Sequence, residues 1–183
     1  MTATTLPAGL VQGTWTVEPS HSSATFTVRH AGIAKVRGAV AITSGTITIG
    51  EDLASSSVTA TLDPASIDTR DANRDGHLRS ADFFDVETYP TWTFTSTSVE
   101  ADGDDYVIVG DLTIHGVTQP VRLATEFNGA ATDPFGASRV GFSAETEISR
   151  KDFGLTWNAA LETGGVLVGD KVKISLEIEA VSA

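Results

Sequence analysis

Cysteine is absent from the 183 residues, so the chain has no disulfide framework, no thiolate metal site and no cysteine nucleophile. Cations are scarce: 12 Lys and Arg stand against 24 Asp and Glu, a formal net charge of −12. That balance argues against a general affinity for nucleic acid or for anionic membrane surfaces. No apolar run is long enough to cross a bilayer, so stable membrane insertion is not expected. The opening MTATTLPAGLVQG holds neither Lys nor Arg and no apolar stretch suited to export. With Met1 as the natural start, a cytoplasmic location is the expectation.

Motifs are missing too. His21, His30, His77 and His115 stand singly, without HxH or HExxH spacing, so neither a metal site nor a cofactor is expected. There is no GxSxG elbow, no Walker loop and no dinucleotide fingerprint. Nothing in the sequence compels an enzyme.

What is present is alternation of period two, the mark of strands with one buried face. A polar leader, residues 1–13, precedes a single domain over 14–183. Trp15 and Val17 open the pattern, and Ala24, Phe26, Val28 and His30 share the next face. Val36, Gly38, Val40 and Ile42 follow, and Ile47 and Ile49 resume beyond a bend or bulge at Ser44–Gly45. Val58, Ala60 and Leu62 make a strand that Pro64 is expected to end. Trp92 and Phe94 restart the alternation, ADGDD (101–105) reads as a turn, and a further hairpin turns at His115–Gly116. Val140, Phe142, Ala144 and Ile148 line one face of the next strand, and Val172 to Ala180 make the clearest strand of all.

About eight strands at this spacing, with no helix–strand alternation, predict an all-β fold: an extended antiparallel barrel or a sandwich. Strands of roughly ten residues, about 33 Å long, favour the barrel. Large side chains such as Phe26, Trp92, Phe94, Phe127 and Phe142 share inward faces with Ala24, Gly38, Ala60, Gly110 and Ala144. That mixture fits either a solid interdigitated core or an elongated apolar tunnel.

One stretch departs from the pattern. Asp68 to Pro90 collects Arg70, Arg74, Arg79 and His77 ahead of Phe83 and Phe84. It predicts a short helix capped by Asp68 or Thr69, with Asp71 in the first turn, an Asp75–Arg79 pair and an end near Ser80. Such a helix needs Leu78, Phe83 and Phe84 docked on an apolar surface, which makes the stretch a lid. A second interruption, Arg150 to Asn158, is again aromatic.

Five segments carry a resemblance: Trp15 to His30, Asn73 to Phe94, Gly110 to Val121, Ile148 to Asn158 and Val168 to Ala180. HLRSADFFD followed by LTIHGVT and by R-x-DFG is the specific combination. In these segments the chain resembles the YceI-like family of bacterial polyisoprenoid-binding proteins. The resemblance implies an eight-stranded, lipocalin-like barrel, closed by one or two short helices, whose interior takes up a long isoprenoid chain. It also implies relatives with secretory signals, which this sequence does not show.

The resulting expectation is a non-enzymatic carrier or store for a quinone or polyprenyl phosphate. Phe26, Val28, Trp92, Phe94, Leu112, Ile114 and Phe142 are the candidate wall, with Phe83, Phe84, Phe153 and Trp157 at the two interruptions. Arg74, His77 and Arg79 are the head-group candidates, against a reading in which Asp71, Asp75 and Asp82 pair with them on a solvated face. An isomerase or cyclase using His77 or Asp82 as acid–base group, and a ligand-free interaction barrel, remain as alternatives. A homodimer is compatible with all three.

Overall fold

Alternation of this regularity can satisfy every backbone group only if the strands pair on both sides, and in this chain they do so by closing a ring. The structure, a computed structural model, describes residues 5–183. Its strands are β1 (Gly13–Val17), β2 (Ser23–His30), β3 (Ala34–Ile49), β4 (Ser57–Asp68), β5 (Trp92–Asp102), β6 (Asp105–Ile114), β7 (Val117–Thr132), β8 (Ser138–Ser149) and β9 (Val168–Ser182). All pairings are antiparallel. β2 to β9 form the eight-stranded closed barrel, with β3 paired to β4 and β2 to β9. β1 and β2 share one slot between β3 and β9: β1 meets Thr46 to Ile49, and β2 meets Ala34 to Val40. A 3₁₀ turn at Pro19–His21 separates the two halves of that split strand.

The bend at Ser44–Gly45 is a bulge, where the register with β4 shifts between Ile42 and Ser44. Its consequence is a change of parity. Val40 and Ile42 face inward before it, and Ile47 and Ile49 after it. Gly45 sits where Val17 crosses close, 2.8 Å from the position its own Cβ would take, so the bulge needs a residue without one.

Pro64 does not end its strand; β4 runs on to Asp68. The proline lies in a second bulge, where Ala39 pairs with Asp68 but Ala41 with Asp63. There the Ser66 hydroxyl accepts from the Ala41 N–H at 2.8 Å and donates to the Asp63 carbonyl at 2.5 Å, so the β3 N–H that faces the bulge keeps an acceptor.

The turn at His115–Gly116 takes positive φ at both residues, 57° and 72°, as a tight two-residue hairpin requires. Of the expected leader, residues 1–4 lie outside the described residues. Within the rest, Pro7 to Leu10 makes a turn, and Leu6 and Leu10 pack on the cluster of Trp15, Val17, Ile42, Ile47, Ile49 and Ala180. A second cluster, with Trp92, Phe94, Ile114, Phe153 and Leu155, occupies the other end.

Candidate functional site

Inside the barrel lies an apolar cavity that runs from Leu6, Leu10 and Leu53 at one end to Leu78, Phe83, Phe84 and Leu155 at the other. Its volume is about 280 Å³. Its walls are the inward residues of β2 to β9, and Arg150 is the one charged residue among them.

The small residues keep the lumen open in an unexpected way. A Cβ on Gly38 would lie 2.4 Å from the Phe26 ring, and one on Gly110 would lie 2.4 Å from the Phe94 ring. Neither glycine leaves a void. Each lets an aromatic ring from the neighbouring strand lie down over its backbone, and it is the flattened rings that leave room in the centre.

Of the residues expected to hold a tail, Phe26, Val28, Phe83, Phe84, Trp92, Phe94, Leu112, Ile114 and Phe142 all border the cavity. Phe153 and Trp157 do not. Phe153 is fully buried behind the wall at 1% exposure, and Trp157 packs outside on His77 and Phe83, with ring centroids 4.6 and 5.3 Å away.

The lid is a helix, α1 (Ala72–Arg79), followed by turns to Pro90. Its cap is Asp71, whose carboxylate accepts from the Arg74 N–H at 2.9 Å, rather than Asp68 or Thr69. The expected Asp75–Arg79 pair is not made. Asp75 is buried and turns back to the corner before the helix, accepting from the Thr69 N–H at 2.9 Å and the Thr69 hydroxyl at 2.5 Å. Arg74 completes the corner, donating from Nε to the Thr69 hydroxyl and from Nη2 to the Thr69 carbonyl, both at 2.7 Å. These bonds hold the chain through Arg70, whose φ is 65°.

Arg74, His77 and Arg79 do not border the cavity. Arg74 is committed to Thr69, and His77 Nε2 lies 2.9 Å from the Asp82 carboxylate on the outer side of the lid. Leu78 is the helix residue that reaches the lumen. On the neighbouring turn His115 donates from Nδ1 to the Phe153 carbonyl at 3.2 Å and stacks edge-on with Tyr89, 5.0 Å away, which ties the turn to both interruptions.

Arg150 was not among the candidates. It is 4% exposed and spends its guanidinium on the carbonyls of Gly169 (2.8 Å), Leu155 (2.7 Å), Trp157 (2.9 Å) and Val168 (3.2 Å). Burial pushes its pKa below the ordinary arginine value, and the Asp170 carboxylate pulls part of the way back. Among the described residues no carboxylate lies within ion-pair distance of it. A parity count finds it: Phe142, Ala144, Thr146 and Ile148 face the lumen, and Arg150 is next in step.

At the opposite end, ligand atoms of Glu18, His21 and Glu179 lie within 4.8 Å of one another. Arg139 fills that cluster, donating to Glu18 and Glu179 and also to Asp133. The guanidinium supplies the positive charge that a cation would bring.

A family model for the YceI-like domain matches residues 15–180. The chain belongs to the YceI-like family. Its relatives include protein YceI of Escherichia coli, 45% identical over 139 residues, which covers 75% of this chain and 73% of that one. Among solved structures, BcnA of Burkholderia cenocepacia superposes with a TM-score of 0.72 at 25% identity, covering 89% of this chain and 98% of that one. A polyisoprenoid binding domain from Saccharophagus degradans, implicated in plant cell wall breakdown, superposes at 0.68 with 17% identity, covering 92% and 98%. At that identity the likeness shows the shared barrel fold alone.

Proposed function

We propose that this YceI-like barrel binds a long-chain polyisoprenoid lipid along its lumen and carries or stores it without altering it. The observation that supports the reading most is the cavity itself: end to end, walled by apolar side chains, with charge only at Arg150. Each buried CH₂ contributes roughly 0.8 kcal/mol, so about twenty carbons give on the order of 16 kcal/mol gross. Association and the freezing of a flexible chain offset much of that, which leaves a reversible holder. The Saccharophagus domain of the same fold is named for polyisoprenoid binding, and that adds the ligand class.

The acid–base alternative rests on His77 and Asp82. They do meet, at 2.9 Å, but on the outer side of the lid and not on the cavity, which favours a binding protein over an enzyme. A solid interaction barrel is disfavoured by the open lumen. The test is native mass spectrometry of protein purified without detergent, with organic extraction of whatever co-purifies. A stoichiometric prenyl lipid is the expected result; an apo mass that prenyl quinones and prenyl phosphates fail to shift would end the reading.

A further inference from the structure

Two exposed apolar side chains lie together on the rim of the lid end. Ile33 is 86% exposed at the tip of the β2–β3 turn, and Val166 is 51% exposed on the stretch 150–167. The Ala31 N–H donates to the Leu167 carbonyl at 2.7 Å, which ties that turn to that stretch. Ala31 and Gly32 take φ of 51° and 71°, and the Ile33 N–H closes the turn on the His30 carbonyl at 3.1 Å, so a defined backbone holds Ile33 out in water. Single exposed apolar residues are common on protein surfaces. This pair is set apart by what surrounds it.

Behind the two tips, the outer faces of β3, β2 and β9 carry Lys35 and Arg37, Arg29, and Lys171 and Lys173, all exposed. The register brings them side by side: Arg29 pairs with Lys35, and Thr27 lies between Arg37 and Lys173. Of the five, only Lys173 makes an ion pair among the described residues, with Glu145 at 3.5 Å. Glu147, opposite Lys173 on β8, and Asp170, bonded to Ser149, border the patch on the β9 side. Like charges facing each other across a strand pair destabilise a sheet, so the Arg29–Lys35 pair needs a reason outside the fold. The far end differs. Its turns carry Glu51, Asp52, Asp102, Asp104, Asp105 and Asp133, and its own exposed apolar tip, Phe135, donates its N–H to the Asp133 carboxylate. The patch is also the outside of the tunnel mouth, since Val28, Val168 and Val172 of the same strands line the cavity.

We propose that this patch docks the barrel, lid end first, on an anionic bilayer: Ile33 and Val166 enter the interfacial layer while Arg29, Lys35, Arg37, Lys171 and Lys173 meet the head groups. The proposal rests on the reading of the lumen as a lipid tunnel, because a cargo that dissolves in a bilayer is what selects a membrane over an acidic protein or a second copy of the chain. The net charge of −12 does not oppose it. With a Debye length of about 8 Å, a surface senses the charges nearest to it, and the acidic turns lie a barrel length away, where their repulsion orients the molecule. Docking is peripheral, through two side chains and a band of charge, and brings the tunnel mouth to the layer that holds the cargo.

The experiment is co-sedimentation of the full chain with vesicles, one set of phosphatidylcholine and one of phosphatidylcholine and phosphatidylglycerol in about equal parts. The chain should bind the anionic vesicles and not the neutral ones, and should lose most of that binding in high salt. Replacing Arg29, Lys35 and Arg37 together by Gln should weaken it on the order of 100-fold, at about fivefold per cation. Ile33→Ser should weaken it by about 5- to 10-fold, and Phe135→Ser, at the far end, should leave it unchanged. All these side chains are exposed, so the variants should melt with the unaltered chain. No binding to anionic vesicles at low salt, or binding that neither the triple variant nor Ile33→Ser weakens, would overturn the proposal. A dimer of the chain that Ile33→Ser dissociates, with no vesicle binding, would overturn it in favour of a second copy. Uptake of a prenyl quinone in vesicle-free solution reads the tunnel separately: uptake without docking removes the docking surface alone, and docking without uptake removes the tunnel alone.

Discussion

At the end of the barrel where β1 begins, closure is continuous with the wall, whereas at the opposite end it is made by two excursions from the sheet. Trp15 and Val17 pack on Ile47, Ile49 and Ala180 as part of the strands themselves, and Leu6 and Leu10 add to that cluster. Outside it Arg139 gathers Glu18, Asp133 and Glu179. At the lid end, residues 69–91 and 150–167 leave the ladder and return, held by a few polar anchors: Asp75 with Arg74 on Thr69, Arg150 on four carbonyls, and His115 on Phe153. The contrast identifies the end that can open. Releasing the lid breaks a handful of bonds, while releasing the other end unzips strands, and local opening follows the cheaper route.

The strongest way to break the contrast is to remove the largest anchor. Arg150→Met removes four hydrogen bonds to carbonyls, of which only the Val168 carbonyl keeps a side-chain donor, Asn158, and should cost at least ~3 kcal/mol. In a chain of this size that is a fall in melting temperature of roughly 6–12 °C in a thermal scan. Asp75→Ala should cost about 2 kcal/mol. Because its bonds stay within the lid corner, the loss should show as faster hydrogen exchange over residues 69–80 with the β9 amides still protected. Gly110→Ala acts on the wall, by lifting the Phe94 ring toward the lumen. It should destabilise by ~1–3 kcal/mol and reduce lipid uptake more than its stability loss accounts for, read by paired melting and binding curves.

The smallest effect belongs to the closed end; it is present at neutral pH and fades in acid. The Arg139 guanidinium above all holds Glu18 below its ordinary 4.5; the Ala137 N–H and then Arg139 hold Asp133 below 3.8. Carboxyl groups with lowered folded-state pKa values stabilise the fold above those ordinary values and lose that contribution as pH falls through the lower folded ones. Arg139→Gln should therefore flatten the decline in stability between about pH 5 and pH 2, with melting measured along that series. Lid exchange should be unchanged.

Much of this was legible in the sequence because it is periodic. Period-two alternation gives the strands, and the odd spacing between Ile42 and Ile47 gives the bulge. Pro64 misleads because the Ser66 hydroxyl, which accepts from the Ala41 N–H across the bulge, becomes a partner only once β3 is alongside. Asp75 misleads for a related reason: helix spacing points to Arg79, but the Thr69 corner offers two donors in a buried setting. Arg150 looks like one more surface cation in RKD until its parity with Ile148 is counted. The Trp92 indole N–H, buried without an acceptor, has no sequence signal, since alternation gives the face of a residue and not the partners of its atoms.

The central claim is that an open lumen holds an apolar chain along the barrel axis. The most direct measurement is affinity against chain length, using prenyl quinones of rising isoprene number with the unaltered protein and with Ala60→Phe, which places a ring midway along the cavity wall. The account predicts affinity that climbs with each isoprene until the tunnel is full, and an earlier plateau in the folded Ala60→Phe variant. Affinity independent of chain length, or a length profile that the added ring leaves unchanged, would contradict it.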